Sequence, residues 1–173
     1  MLRQLLLWTM IAFLSGCAIN PVTGQNELSL VSEQQELAIG AQQYAPARQS
    51  QGGDYEVDHQ LTAYVNQVGQ RLAAVSDRKL PYEFKVLNSS VPNAWALPGG
   101  KISINRGLLT ELQSEAELAA VLGHEIVHAA AKHGVQSMST GMLLQAGAAG
   151  SVLRPRAQVM RIWPSWGQAL GLS

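Results

Sequence analysis

The sequence predicts an α+β fold, with helices packed around a small sheet. Three observations carry that expectation. Helix starts are marked by capping chemistry at Ser32, Asp58 and Ser114; two short strand-like runs, Tyr82–Asn88 and Lys101–Asn105, lie between helical stretches; and an apolar helical segment, Ala120–Ala130, is interrupted by two histidines and a glutamate. At 173 residues the chain is long enough for one domain with its own core and short for two. Twelve basic and twelve acidic residues balance, so there is no nucleic-acid footprint. A single cysteine, Cys17, excludes a disulfide framework within the chain.

The N-terminus reads as an address. Met1-Leu2-Arg3 gives a short basic start, and an apolar run follows through Leu14, too short to span a membrane. Small residues Ser15 and Gly16 precede Cys17. Leu14-Ser15-Gly16-Cys17 resembles the bacterial lipobox, which implies that residues 1–16 are a lipoprotein signal peptide and that Cys17 is the lipidated first residue of the mature protein. An ordinary signal peptide with an incidental cysteine is the plainer alternative. Ala18, where an aspartate would retain the protein at the inner membrane, implies an outer-membrane lipid anchor facing the periplasm of a bacterial cell envelope. Residues 17–31 carry the turn signals Asn20-Pro21 and Thr23-Gly24 and are expected to be a tether.

The elements follow in order. Ser32-Glu33-Gln34-Gln35 has the spacing of a capping box and starts a helix expected to run to about Tyr44, where Pro46 ends it. Asp58 caps the next helix, whose buried stripe is Leu61, Val65, Val68, Leu72 and Val75, with Gly69 a weak point inside it. His59, at that helix's start, reads as a solvated neighbour of the cap. Tyr82–Asn88 alternates as a half-buried strand, and Pro98-Gly99-Gly100 predicts a reversal into Lys101–Asn105. Pro92 and Pro98 cannot donate to a ladder, so the segment between them is pushed to a sheet edge. Such an edge can either bind an extended peptide by strand addition or be a plain structural hairpin. Arg106–Leu112 suggests a short helix. Ser114-Glu115-Ala116-Glu117 then begins a helix expected to run to about His133, with Gly134 as its C-cap.

That last helix carries His124-Glu125-Ile126-Val127-His128. Residues four apart lie one turn apart on one face, so the two imidazoles can aim at one point, as a zinc ion requires. Glu125 lies about 100° round the helix, placed to take a proton from water beside that ion. This is the arrangement of a metal-assisted peptidase. A core helix with two satisfied histidines is the competing reading; the apolar flanks weigh against it, because a buried glutamate needs a partner. His133 falls about 140° from His128 on an unbroken helix and is expected to cap the helix or to act in a second shell, not to join the same metal.

From Asn20 to Gly134 the chain resembles the HtpX-like and CAAX-prenyl-protease-like zinc metallopeptidases of the gluzincin type, and in particular their periplasmic lipoprotein branch. The residues carrying the resemblance are Asn20-Pro21-Val22-Thr23-Gly24, Asn93-Ala94-Trp95-Ala96-Leu97-Pro98-Gly99-Gly100, Ile104-Asn105-Arg106-Gly107-Leu108-Leu109, and His124-Glu125-Ile126-Val127-His128 with His133-Gly134. It implies a zincin-like peptidase domain over residues 32–150, one zinc ion held by His124 and His128, Glu125 as general base, and a substrate cleft lined by Asn93, Ala94, Trp95 and Ala96. The implied substrates are unfolded or extended envelope polypeptides. The implied partners are that substrate and, through the lipid anchor, a membrane, with no nucleic acid.

The family also takes a third zinc ligand from a glutamate on a later helix, and no residue from Ile126 to Ser173 is Asp or Glu. The C-terminal part is therefore expected to be incomplete, as in a shortened or frame-altered member. The alternative to an active endopeptidase is a non-catalytic lipoprotein or relic that keeps the peptide groove. Residues 151–173, with Arg154, Arg156, Arg161, Trp163 and Trp166, form an atypical basic and aromatic tail without a clear period. It reads either as an interfacial segment touching anionic lipid or as a disordered end with no folding role.

Overall fold

The structure, a computed structural model, describes residues 17–148. The expected signal peptide and the expected tail lie outside them. Among the described residues no helix is long and apolar enough to cross a membrane.

The chain opens with a small antiparallel hairpin, β1 (Cys17–Ile19) and β2 (Asn26–Leu28). Asn20 organises the turn: its Oδ1 accepts from the backbone N–H groups of Val22 and Thr23, a side-chain mimic of a backbone turn. The expected tether is thus a folded hairpin. It is docked through Leu30 N–H, which donates to Ser139 Oγ (3.1 Å), and through Gln136, which donates to Glu27.

Helix α1 (Glu33–Ser50) starts on the complete Ser32/Gln35 capping box and continues past Pro46 to Ser50, six residues beyond the expected end. An interior proline costs about 3 kcal/mol. Anchors on both sides offset it. Tyr44 is buried and donates to Ile102 O (2.5 Å), while Arg48 pairs with Asp54 and lies 4.6 Å over the Tyr44 ring. Helix α2 (His59–Ala73) begins where Asp58 accepts from Leu61 N–H (2.9 Å). Val65 and Val68 are buried and Leu61 and Leu72 pack beside them, but Val75 lies beyond the helix end and is 82% exposed. Gly69 is required rather than weak: a Cβ there would sit 2.5–2.7 Å from the Phe84 ring.

The sheet has the order β3-β5-β4, with β3 (Glu83–Leu87) parallel and β4 (Ala94–Leu97) antiparallel to the central β5 (Lys101–Asn105). The β4–β5 reversal uses Gly99 and Gly100 at φ 74° and 80°, which residues with a Cβ seldom adopt. A short α3 (Arg106–Leu109) leads to α4 (Glu115–Ala130) and α5 (His133–Ala148). The sheet separates two layers. On one face Phe84, Val86, Ala94, Ala96, Ile102 and Ile104 pack with α2 and with Leu118, Leu122, Ile126 and Ala129 of α4. On the other, Leu87 and Trp95 pack against Tyr44 of α1.

Candidate functional site

Helix α4 begins where Ser114 Oγ accepts from Glu117 N–H (3.2 Å). It then buries Leu118, Leu122, Ile126 and Ala129 against the sheet, a stripe at spacings of four, four and three. That register fixes the other faces. His124 is exposed and His128 half-exposed, one turn apart, and their Nε2 atoms stand 2.9 Å from one another. Glu125 points inward and is only 4% exposed.

The electrostatics follow from placement. Burial pushes the Glu125 carboxyl up to about 7, the range in which a carboxylate can both accept and return a proton near neutrality. Burial, reinforced by the neighbouring His124 and His128's contact with His133, pulls the His128 imidazole down to about 4. Above that pH its ring is neutral and can offer a lone pair to a metal.

The sequence expectation for the end of this helix is corrected. α4 stops at Ala130, Ala131 caps it, and Lys132 takes φ 59° before α5 begins at His133; Gly134 is inside α5, not a C-cap. The break swings His133 back, so that its Nδ1 lies 2.6 Å from Nδ1 of His128. One of these nitrogens carries the hydrogen. If Nε2 of His128 serves as a metal ligand, its Nδ1–H is the donor and His133 the acceptor, which fixes ring orientation.

A zinc ion holding two imidazoles tetrahedrally at 2.0–2.1 Å separates their nitrogens by roughly 3.3 Å. The 2.9 Å pair fits two such positions after a small opening. Among the described residues no group of three His, Cys, Asp or Glu side chains is placed to hold a metal; His124 and His128 could supply two of the three protein ligands that a catalytic zinc takes.

Of the residues expected along the cleft, Asn93 is half-buried, while Ala94, Trp95 and Ala96 are buried, Ala94 and Ala96 towards α4 and Trp95 towards α1. What this strand offers is its backbone, because β4 is the sheet's edge and lies against α4. Cys17 stands at the start of β1. His59 is solvated, 3.9 Å from Glu56.

Sequence reasoning missed the residues that hold the far end of α4. Ala131 O accepts from Asn20 Nδ2 (3.1 Å) and Gln136 Nε2 (3.0 Å), and Ala129 O from Arg78 Nη1 (3.4 Å). Arg78 in turn pairs with the buried Glu36. Asn20 belongs to the Asn-Pro-Val-Thr-Gly motif, but nothing near Glu36 or Arg78 in the chain announces a partner some forty positions away.

Residues 59–169, more than half the chain, match the model of peptidase family M48. The chain is 40% identical over 82 residues to the mitochondrial metalloendopeptidase OMA1 of Schizosaccharomyces pombe, covering 47% of this chain and 24% of that one. It is 31% identical over 148 residues to the beta-barrel assembly-enhancing protease of Escherichia coli K12, covering 82% and 30% respectively. Against the beta-barrel assembly-enhancing protease of Yersinia pestis it is 33% identical over 138 residues, covering 77% and 28%. It therefore spans less than a third of the length of these relatives. Taken with the paired imidazoles and the inward glutamate on α4, the matched span shows that the chain belongs to peptidase family M48.

Proposed function

We propose that this chain carries the catalytic helix of a zinc-dependent metalloendopeptidase. The observation that carries the reading is the convergence of His124 and His128 on one point, 2.9 Å apart, beside a glutamate whose carboxyl burial holds near 7. His124 and His128 would hold the metal, with His133 orienting His128. When bound, zinc supplies a Lewis acid that acidifies water and polarises the scissile carbonyl. Glu125 takes the proton from the attacking water and delivers it to the departing amine. The free edge of β4 pairs with an extended substrate backbone and presents its carbonyl to α4; affinity drawn from main-chain hydrogen bonds suits unfolded polypeptides of varied sequence.

The resemblance to the HtpX-like lipoprotein branch and the lipobox-like Leu14–Cys17 support a substrate pool in the bacterial envelope, with the protein held by lipid at the periplasmic face of the outer membrane. The bacterial relatives are named as proteases that enhance beta-barrel assembly, which supports the same reading.

The test is Glu125→Gln. The variant should bind zinc as the parent does and lose hydrolysis of unfolded casein by a factor on the order of 10²–10⁴. Cleavage at the parental rate removes Glu125 from the mechanism. A second reading, a non-catalytic groove, draws support from the missing third ligand among the described residues. Zinc that washes out on dialysis while peptide binding persists would favour it.

A further inference from the structure

His133 meets His128 only because the chain turns at Lys132, the one non-glycine residue with positive φ among the described residues. A side chain with a Cβ disfavours that conformation, so surrounding contacts must hold it. Besides Asn20 and Gln136 on Ala131 O, those contacts converge on Glu36, which is 1% exposed. Its carboxylate accepts from Arg78 Nη1 and Nη2 (2.9 and 3.0 Å) and from Gly99 N–H (3.3 Å), and Lys132 Nζ lies 4.0 Å from it. Arg78 reaches on to Ala129 O, the carbonyl next after His128. One buried carboxylate thereby ties the last turn of α4, the β4–β5 reversal and the elbow residue together.

We propose that Glu36, acting through Arg78 and Lys132, positions the α4–α5 elbow and so sets His133 against His128. Glu36 is a positioning residue and touches no reacting group. Its effect on zinc rests on the metal reading above; its effect on the elbow does not.

Glycine adopts positive φ freely, so at position 132 it makes the tie dispensable. The first readout is the proton–proton contact between the His128 and His133 rings, followed by NMR in metal-free protein that circular dichroism shows to be folded. Glu36→Gln should lose it, Glu36→Gln with Lys132→Gly should regain it, and Glu36→Gln with Lys132→Ala should not. Zinc affinity, measured against a competing chelator, should fall about tenfold or more in the first variant and recover in the second, the size of effect seen when an outer partner of a ligand is lost. Should Glu36→Gln fail to fold, Lys132→Ala and Lys132→Gly in the parent chain replace it, alanine losing the ring contact and glycine keeping it. A ring contact that survives in Glu36→Gln or in Lys132→Ala, or that glycine does not restore, overturns the proposal. If the parent binds no zinc, the metal reading falls and the ring contact still decides the elbow.

Discussion

The two ends of α4 are held by different physics. At the N-terminus the partners are close in sequence or on the surface: Ser114 accepts from Glu117 N–H, and exposed Glu115 receives Arg71 (2.8 Å) and the Tyr64 hydroxyl (2.6 Å). At the C-terminus, beside the local Gln136 on Ala131 O, two partners are buried and distant, Arg78 on Ala129 O across 51 residues and Asn20 on Ala131 O across 111. A local cap starts a helix readily but leaves its direction free. Long-range donors on the final carbonyls fix where the helix points, and the histidines sit in the half that they fix.

That contrast can be broken, and the sharpest attempt is Glu36→Ala. It leaves the buried Arg78 guanidinium with only the long, exposed pairing to Glu33 (3.4 Å) and should cost about 3 kcal/mol in urea unfolding of the metal-free protein. A cost no greater than that of a surface cap would erase the distinction between the ends. The next effect tests how dry the histidine-bearing half is. The Glu125 carboxyl ionises near 7 when folded and near 4.5 when unfolded, so between those values the unfolded chain gives up its proton first. Glu125's own contribution to the stability of metal-free protein should therefore fall as pH rises from about 4.5 to about 7, by a total on the order of 2–3 kcal/mol, while His128, held neutral down to about 4, contributes in the opposite sense over much of the same range. Unfolding of parent and Glu125→Gln at pH 5 and pH 8 isolates the Glu125 part as the difference between their two slopes, the variant gaining more stability than the parent as pH rises; parallel profiles for parent and variant would mean the carboxyl is well solvated. The smallest effect belongs to the other end. Ser114→Ala should cost about 1 kcal/mol and leave zinc affinity unchanged. A weakened affinity would show that the N-terminal cap, too, steers the histidines.

The same contrast decides what the sequence disclosed. Ser32, Asp58 and Ser114 act on backbone three residues away, and Pro98-Gly99-Gly100 reverses the chain on the spot, so each is readable where it stands. The edge position of β4 follows from its flanking prolines for the same reason. Lys132 is not readable, because lysine carries no local preference for positive φ; the buried Glu36 carboxylate near its ammonium, 96 positions earlier, and Asn20 on the preceding carbonyl are drawn close by the fold. Pro46 misleads in the same manner: taken locally it ends a helix, and the anchoring of Tyr44 and Arg48 overrides it. Gly69 looks like a flaw because the Phe84 ring that needs its bareness sits on another element. At the site, the His124–His128 pairing can be foreseen from a one-turn spacing, whereas the approach of His133 needs the elbow.

Gly40, on the outer layer, has a bearing on the groove. A methyl group there would land 1.9 Å from Pro98 O, so bare backbone of α1 rests directly on the corner into which β4 runs. A single carbon added on the far side of the sheet would act as a wedge, levering β4 relative to α4. On the proposed reading, the seating of the strand that offers its edge to a substrate is thus gauged from behind, by a residue on the opposite face.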